Sequence, residues 1–409
     1  MPIDRRNNSY TERRVSARCP FFVFVLCLAG VGQALFLTSC HTSSHKTVPQ
    51  TDQVDSVVPL HYAQGFEIAL LKDGGRRVTV FRLWDKDKEV WQRYYLYDDS
   101  SLMTPSRSDD GVFLTVPLNR VALGSCTQVE FFRLLNALTK VKGMADADKV
   151  YNPELRQALA EGRLCDLGDA FQLRIEPLLR LKTDAVMLTG ISQMSAQVDM
   201  LERSGLPVIF NNEWTENNLL GRAEWLRFVG AFLDCQDMAD SMFMETENRY
   251  LALRQLADSL SAGDHRTVSV LSGEDFRGTW YLPGGNSYMA QLFRDAGFDY
   301  IYQNDSTSGS IACPFEQVLY DLNDADVWVG VDASDLTSLL SKDSRYALFK
   351  AYRQGKVFAY DARSAAGGAN DFWESAVAHP DLILADFIKL RFPEFCRSWE
   401  WNFLRPLSE

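Results

Sequence analysis

Trp280 and Tyr281 stand directly before Pro283, Gly284 and Gly285 in the stretch "GTWYLPGGNSYM" (Gly278–Met289), and an apolar helical pattern restarts behind them. Indole and phenol rings offer large, stiff apolar faces with a polar edge, which suits the grip of a flat polycyclic ligand. A proline and two glycines fix the turn, so little entropy is lost when a ligand docks against it. Arg277, in the same loop, and Ser125, Phe171, Gln193, Trp214 and Trp373, in other loops beside apolar runs, are the further candidates for such a contact surface. Taken singly, each aromatic reads as packing, and Arg277 as a solvated cation that could also meet a ligand carboxylate. Taken together, at strand ends in both halves of the chain, they predict an aromatic-lined cleft.

The chemistry that is missing narrows the field. There is no G-x-S-x-G elbow and no histidine beside a serine or carboxylate on a strand-end loop, so an exported hydrolase has no sequence support. Past the first sixty residues only His61, His265 and His379 occur, with no H-x-H or H-E-x-x-H, which argues against a dedicated zinc or manganese site. The P-loop pattern is absent, so any ATPase must be a separate subunit. A net charge of −12 disfavours nucleic acid as a partner. Cysteines 126, 165, 235, 313 and 396 show no C-x-x-C spacing and fix no disulfide framework. The expectation is a protein that is not an enzyme, carries no resident cofactor and holds no metal of its own.

The elements that must position these loops follow from periodicity. Between 61 and 116, runs such as "FEIALL", "RRVTVFRLW" and "GVFLTVPL" predict a β-rich segment. Then an ordered series appears twice. "NRVALGS" and "TQVEFFRLLNAL" read as strand and helix, followed by "RIEPLLRLKTDAVMLTG" as acidic residue, helix, aspartate and strand. About 140 residues later the order returns in "RTVSVLSG", "NSYMAQLFRDAGFDY" and "PFEQVLYDLNDADVWVGV". This predicts an α/β fold of two Rossmann-like lobes, 117–218 and 261–362. Between them 219–260 has helical spacing, as one long connecting helix or two with a break near Asp234. A C-terminal helical segment, 363–409, completes the chain. In open α/β sheets ligands lie beyond the carboxyl ends of the strands, which puts the candidate loops in a cleft between the lobes.

The amino end is different in character. Five arginines within residues 1–18 precede the apolar run Phe21–Leu37, the layout of an export signal. The run closes on Leu37-Thr38-Ser39-Cys40, which resembles the lipobox of bacterial lipoproteins. That resemblance implies a signal peptide of 1–39 and lipidation at Cys40, and the polar, aperiodic stretch behind it reads as a flexible tether over 40–60. The alternative is an uncleaved transmembrane anchor.

The lipobox, two lobes joined by a helix, and the paired "E…D-A-V" segments resemble the class III periplasmic substrate-binding proteins. The resemblance covers about 117–395, and the segment before it looks like an elaboration found in Bacteroidetes members. It implies capture of a ferric siderophore, haem or cobalamin and delivery to an ABC permease and its ATPase. It implies a lipid-anchored protein of the cell envelope that faces the periplasm. It also implies that Glu176 and Glu316, one carboxylate on each lobe, dock onto the permease. Each of these glutamates also favours its own helix N-terminus through the dipole. A ligand scavenger without a cognate importer remains the other binding-protein alternative.

Overall fold

The computed structural model describes residues 53–83, 88–102, 111–190 and 195–408. The expected export signal of residues 1–39, Cys40 and Gln193 lie outside the described residues.

The β-rich segment is a five-stranded sheet made of β1 (Val54–Val57), β2 (Phe66–Leu71), β3 (Arg76–Arg82), β4 (Glu89–Tyr97) and β5 (Val112–Thr115), in that order. The first three pairings are antiparallel, and β5 lies parallel to β4. The expectation of a flexible tether over 40–60 needs correction at its end. β1 lies inside it, because Val54 pairs with Leu71 and packs beside Tyr95 and Tyr97. One face of the sheet, including Phe66, Ile68, Val78 and Val80, is buried in the core of the first lobe.

That lobe carries a wholly parallel sheet. Its strands run in the order Val208–Phe210, Ala185–Leu188, Val121–Leu123, Val141–Met144 and Cys165–Asp166. The order of the chain reverses between Ala185–Leu188 and Val121–Leu123, so this is the switch point where a doubly wound sheet opens a crevice. The second lobe sets Val270–Ser272, Val327–Val329 and Val357–Ala359 in parallel, with Arg405–Pro406 antiparallel at the edge. Both lobes and the cleft between them conform to the predicted fold class.

The repeated aspartates have a common structural task. Asp184 precedes its strand and accepts from the amides of Asn119 (2.7 Å) and Arg120 (2.9 Å), at the entry to the neighbouring strand. Asp326 does the same in the second lobe, accepting from the Ser269 amide at 2.9 Å and from Lys350 Nζ at 2.7 Å. Each carboxylate thus ties two central strands together where they start. Lys182 adopts φ 49° and ends the helix Ile175–Arg180 ahead of Asp184.

Two helices, not one, occupy the linking region. Leu219–Leu233 stops at Asp234, which takes φ 55°, and Gln236–Gly263 folds back against it. Gly230 permits this, since a Cβ there would meet the Ala239 Cβ at 2.7 Å. The first helix is almost wholly buried, mostly within the first lobe. The second helix spans the lobes, with Phe243 in one core and Tyr250 and Ala257 in the other.

Buried carboxylates that accept backbone amides recur wherever distant segments meet. Glu224 receives the amides of His61, Tyr62 and Ala63 at 2.9, 2.8 and 2.8 Å. Asp386 receives those of Asn402, Phe403 and Leu404 at 2.8, 2.6 and 2.9 Å. Glu374 receives Tyr151 and Asn152 at 2.6 and 2.9 Å, and so joins the C-terminal segment to the first lobe.

Glu374 has a consequence for acid stability. Burial raises its carboxyl from an ordinary 4.5 to about 7, against the opposing effect of the two amides, with Asp371 and Glu130 pushing the same way as burial. The folded state therefore binds this proton more tightly than the unfolded chain does. Between pH 4.5 and about 7 its contribution to stability falls as pH rises. Glu130 shifts the other way, because hydrogen bonds from Arg133 and His379 outweigh its burial, and its window lies below 4.5. Urea midpoints measured at steps across pH 5–7 are expected to show a shallower slope in Glu374→Gln than in the parent; an unchanged slope would remove Glu374 as its source.

Candidate functional site

A pocket of about 480 Å³ opens between the lobes at the carboxyl ends of their strands. Trp214 and Thr215 come from the first lobe, just past the strand Val208–Phe210. Tyr281, Ser287, Tyr288 and Ser310 come from the second. Leu83, at the end of β3, adds a third wall from the N-terminal sheet. Trp91 of β4 reaches the same side of the lobe. It stacks on Phe210 at 4.8 Å and covers Gly190, whose missing side chain leaves room for the indole.

The floor is held by ion pairs and satisfied carboxylates. Arg222 donates from Nε to Glu213 at 2.7 Å, and its guanidinium lies over the Tyr288 ring, 4.6 Å from the centroid. Burial pulls the Arg222 pKa down, but Glu213 beside it more than reverses this, so the cation is fixed. Glu216 lies against the pocket, yet its oxygens accept from the Gln64 and Gly65 amides and from Trp225 Nε1 at 2.8–3.0 Å. Burial raises its carboxyl above the usual range, and those three donors oppose the rise.

The opening stretch divides between the two roles weighed for it. In the strand Thr279–Pro283 alternate residues face opposite ways. Tyr281 is 53% exposed and lines the pocket, whereas Trp280 is 0% exposed. The expectation that Trp280 contacts ligand is corrected. Its ring packs against Trp328, Phe349 and Tyr346 at 5.6–6.0 Å, and its Nε1 donates to the Ser272 carbonyl at 2.8 Å. Gly284 and Gly285 serve close packing, because a side chain on either would strike the carbonyls of Thr307 or Asp305.

Of the other candidates, Trp214 lines the pocket and is 43% exposed. Ser125 accepts from the Thr127 amide at 3.3 Å and caps a turn. Trp373 and Phe171 are exposed but outside the pocket lining, and the Trp373 carbonyl accepts from Cys126 Sγ at 3.8 Å. Arg277 sits at φ 55° on a hairpin with its guanidinium over Phe276, also outside the lining. Glu176 and Glu316 lie in the first turns of Ile175–Arg180 and Phe315–Leu322, with side chains 82% and 78% exposed. Among the described residues no cluster of three or more His, Cys, Asp or Glu is placed to hold a metal ion. Cys126, Cys165, Cys235, Cys313 and Cys396 are unpaired thiols.

The adjacent aromatics separate by experiment. Trp280→Ala is expected to lose about 3–5 kcal/mol of stability through the cavity it leaves. Tyr281→Ala should stay within about 0.5 kcal/mol of the parent. Urea denaturation of both variants checks this; equal losses would contradict the opposite facing of the two rings.

Two α/β lobes, helices that join them and a pocket between define a solute-binding protein of the periplasmic type. The chain belongs to the periplasmic binding protein family, whose profile matches residues 125–364. Leu83 and the N-terminal sheet lie outside that match. An uncharacterized lipoprotein of Methanocaldococcus jannaschii is 24% identical over 304 residues, covering 72% of this chain and 70% of that one. A second uncharacterized lipoprotein of the same organism is 22% identical over 398 residues, covering 89% and 97%. In structure the chain is similar to a periplasmic heme-binding protein from Pseudomonas aeruginosa, with TM-score 0.53, 17% identity and coverage of 71% and 99%. It is also similar to a periplasmic binding protein from Veillonella parvula, with TM-score 0.51, 13% identity and coverage of 67% and 90%. At these identities the structural likeness speaks for the fold.

Proposed function

We propose that this protein is the substrate-binding component of an ABC importer. It captures a metal chelate, of the ferric siderophore, haem or cobalamin type, and presents it to an inner-membrane permease. The observation that carries this is the pocket that Trp214 of one lobe and Tyr281 of the other both line, each substantially exposed. Exposed aromatics brought together in a concave site are the usual means of holding a large, flat ligand. Glu176 and Glu316 are the docking carboxylates, and lipidation at Cys40 holds the protein in the envelope facing the periplasm.

Tryptophan fluorescence, corrected for inner-filter effects, tests the capture step. Titration with cyanocobalamin, haemin and ferric siderophores should give saturable quenching by one of them at submicromolar concentration, and Trp214→Phe should remove most of the signal. Quenching by none of them would end the metal-chelate proposal.

A further inference from the structure

The pocket carries a charge pattern that narrows its ligand, on the footing of the solute-binding role just proposed. Its uncharged side-chain hydrogen-bonding groups are mainly hydroxyls, on Ser272, Tyr281, Tyr288, Ser308 and Ser310, while Thr215 already donates to the Asn212 carbonyl at 2.8 Å and Ser287 accepts from the Ala290 amide at 3.2 Å. Among the described residues no lysine or arginine lines it, and the one carboxylate that does, Glu216, is already engaged by two amides and an indole. The nearby cations among the described residues are committed elsewhere. Arg222 is paired with Glu213 behind the Tyr288 ring, and Arg294 donates to the Gly285 carbonyl at 2.8 Å. Arg277 stands outside the lining on its hairpin.

An anion entering this site would lose its hydration and meet no counter-charge, which is costly in a partly desolvated cleft. The whole chain, at −12, adds a long-range repulsion to that local cost. Hydroxyls, by contrast, both donate and accept, and so pair well with the amides or hydroxyls of an uncharged ligand. Trp214, Tyr281 and Leu83 supply apolar faces for the body of such a molecule.

We infer that the pocket takes a chelate without net negative charge, flat or apolar on one face and rich in amide or hydroxyl groups at its edge. A corrinoid with amide side chains or a hydroxamate chelate has this chemistry. Haem with its carboxylates, and polyanionic catecholate complexes, do not.

Calorimetric titration of the purified full chain with four probes decides the matter. They are cyanocobalamin, ferrioxamine B, ferric enterobactin and haemin. The expected result is that cyanocobalamin or ferrioxamine B binds at least about 100-fold more tightly than either anionic probe. Raising salt across a range that shortens the Debye length from about 10 Å to about 3 Å should leave the cyanocobalamin affinity nearly unchanged if it is the ligand. Trp214→Ala should weaken binding by about tenfold or more; an unchanged affinity would place the probe elsewhere and overturn the inference. Equal or tighter binding of ferric enterobactin or haemin would overturn the charge inference and leave the solute-binding role standing. Binding of none of the four would overturn both.

Discussion

Reversing charge at Glu176 and Glu316 together, as Glu176→Lys with Glu316→Lys, is expected to abolish uptake while ligand affinity and stability stay near those of the parent. Both carboxylates are highly exposed, one on each lobe, and neither lines the pocket. Their existing ion pairs contribute little to stability. Glu176 lies 3.7 Å from Arg180, and Glu316 lies 3.3 Å from an Arg345 that Asp343 already holds at 2.7 Å. Exposed pairs of this kind contribute about 0–1 kcal/mol. At an interface with complementary cations the same carboxylates set register and speed encounter, and juxtaposed like charges cost several kcal/mol. Uptake of the bound chelate by cells, set beside a titration of the purified double variant, separates docking from capture. Normal uptake by the double variant would refute the docking role.

The second large effect is structural. Glu224→Ala is expected to destabilise the protein by about 3–5 kcal/mol, the range for removing one partner of a buried charge pair. Glu224 is fully buried, accepts three consecutive amides and lies 2.9 Å from Arg227 Nη1. Alanine would leave those amides without that acceptor and Arg227 with Asp240, the Pro59 carbonyl and the Phe243 ring among the described residues. The urea midpoint should fall with little change in slope. A loss under about 1 kcal/mol would mean that residues 61–63 find other acceptors, so that this seat is dispensable.

Much of the architecture was legible because it is written in local periodicity. The doubled series of strand, helix, acidic residue and aspartate marked both lobes, and Asp184 and Asp326 indeed precede equivalent strands. For the linking region periodicity allowed one helix or two with a break near Asp234, and the structure has two. The site was less legible, and Trp280 and Tyr281 show why. Both are aromatic and adjacent, but strand alternation lets only one face the cleft, and composition does not reveal which. Applying the two-residue period to Thr279–Pro283 would have shown that Trp280 and Leu282 share a face opposite Tyr281. Leu83 carried no local signal, since it becomes a pocket residue only when a separate sheet packs beside the lobe. The hydroxyl edge was hidden for a similar reason. Ser272, Ser287 and Ser310 belong to three separate elements that meet only in the folded lobe.

The carboxylates that seat residues 61–65 lie 151 to 163 positions further along the chain. A polypeptide that emerges amino end first can close the local hairpins of β1–β4 early, since they need only neighbouring residues. It has nothing to set them against until Glu216 and Glu224 have also emerged. Through that interval Phe66, Ile68, Val78 and Val80 face water, as does the backbone edge of a young sheet. Contacts of such long sequence separation form slowly. The sheet that ends as a wall of the binding pocket therefore keeps an apolar face without a partner until the chain has grown about 150 residues beyond it.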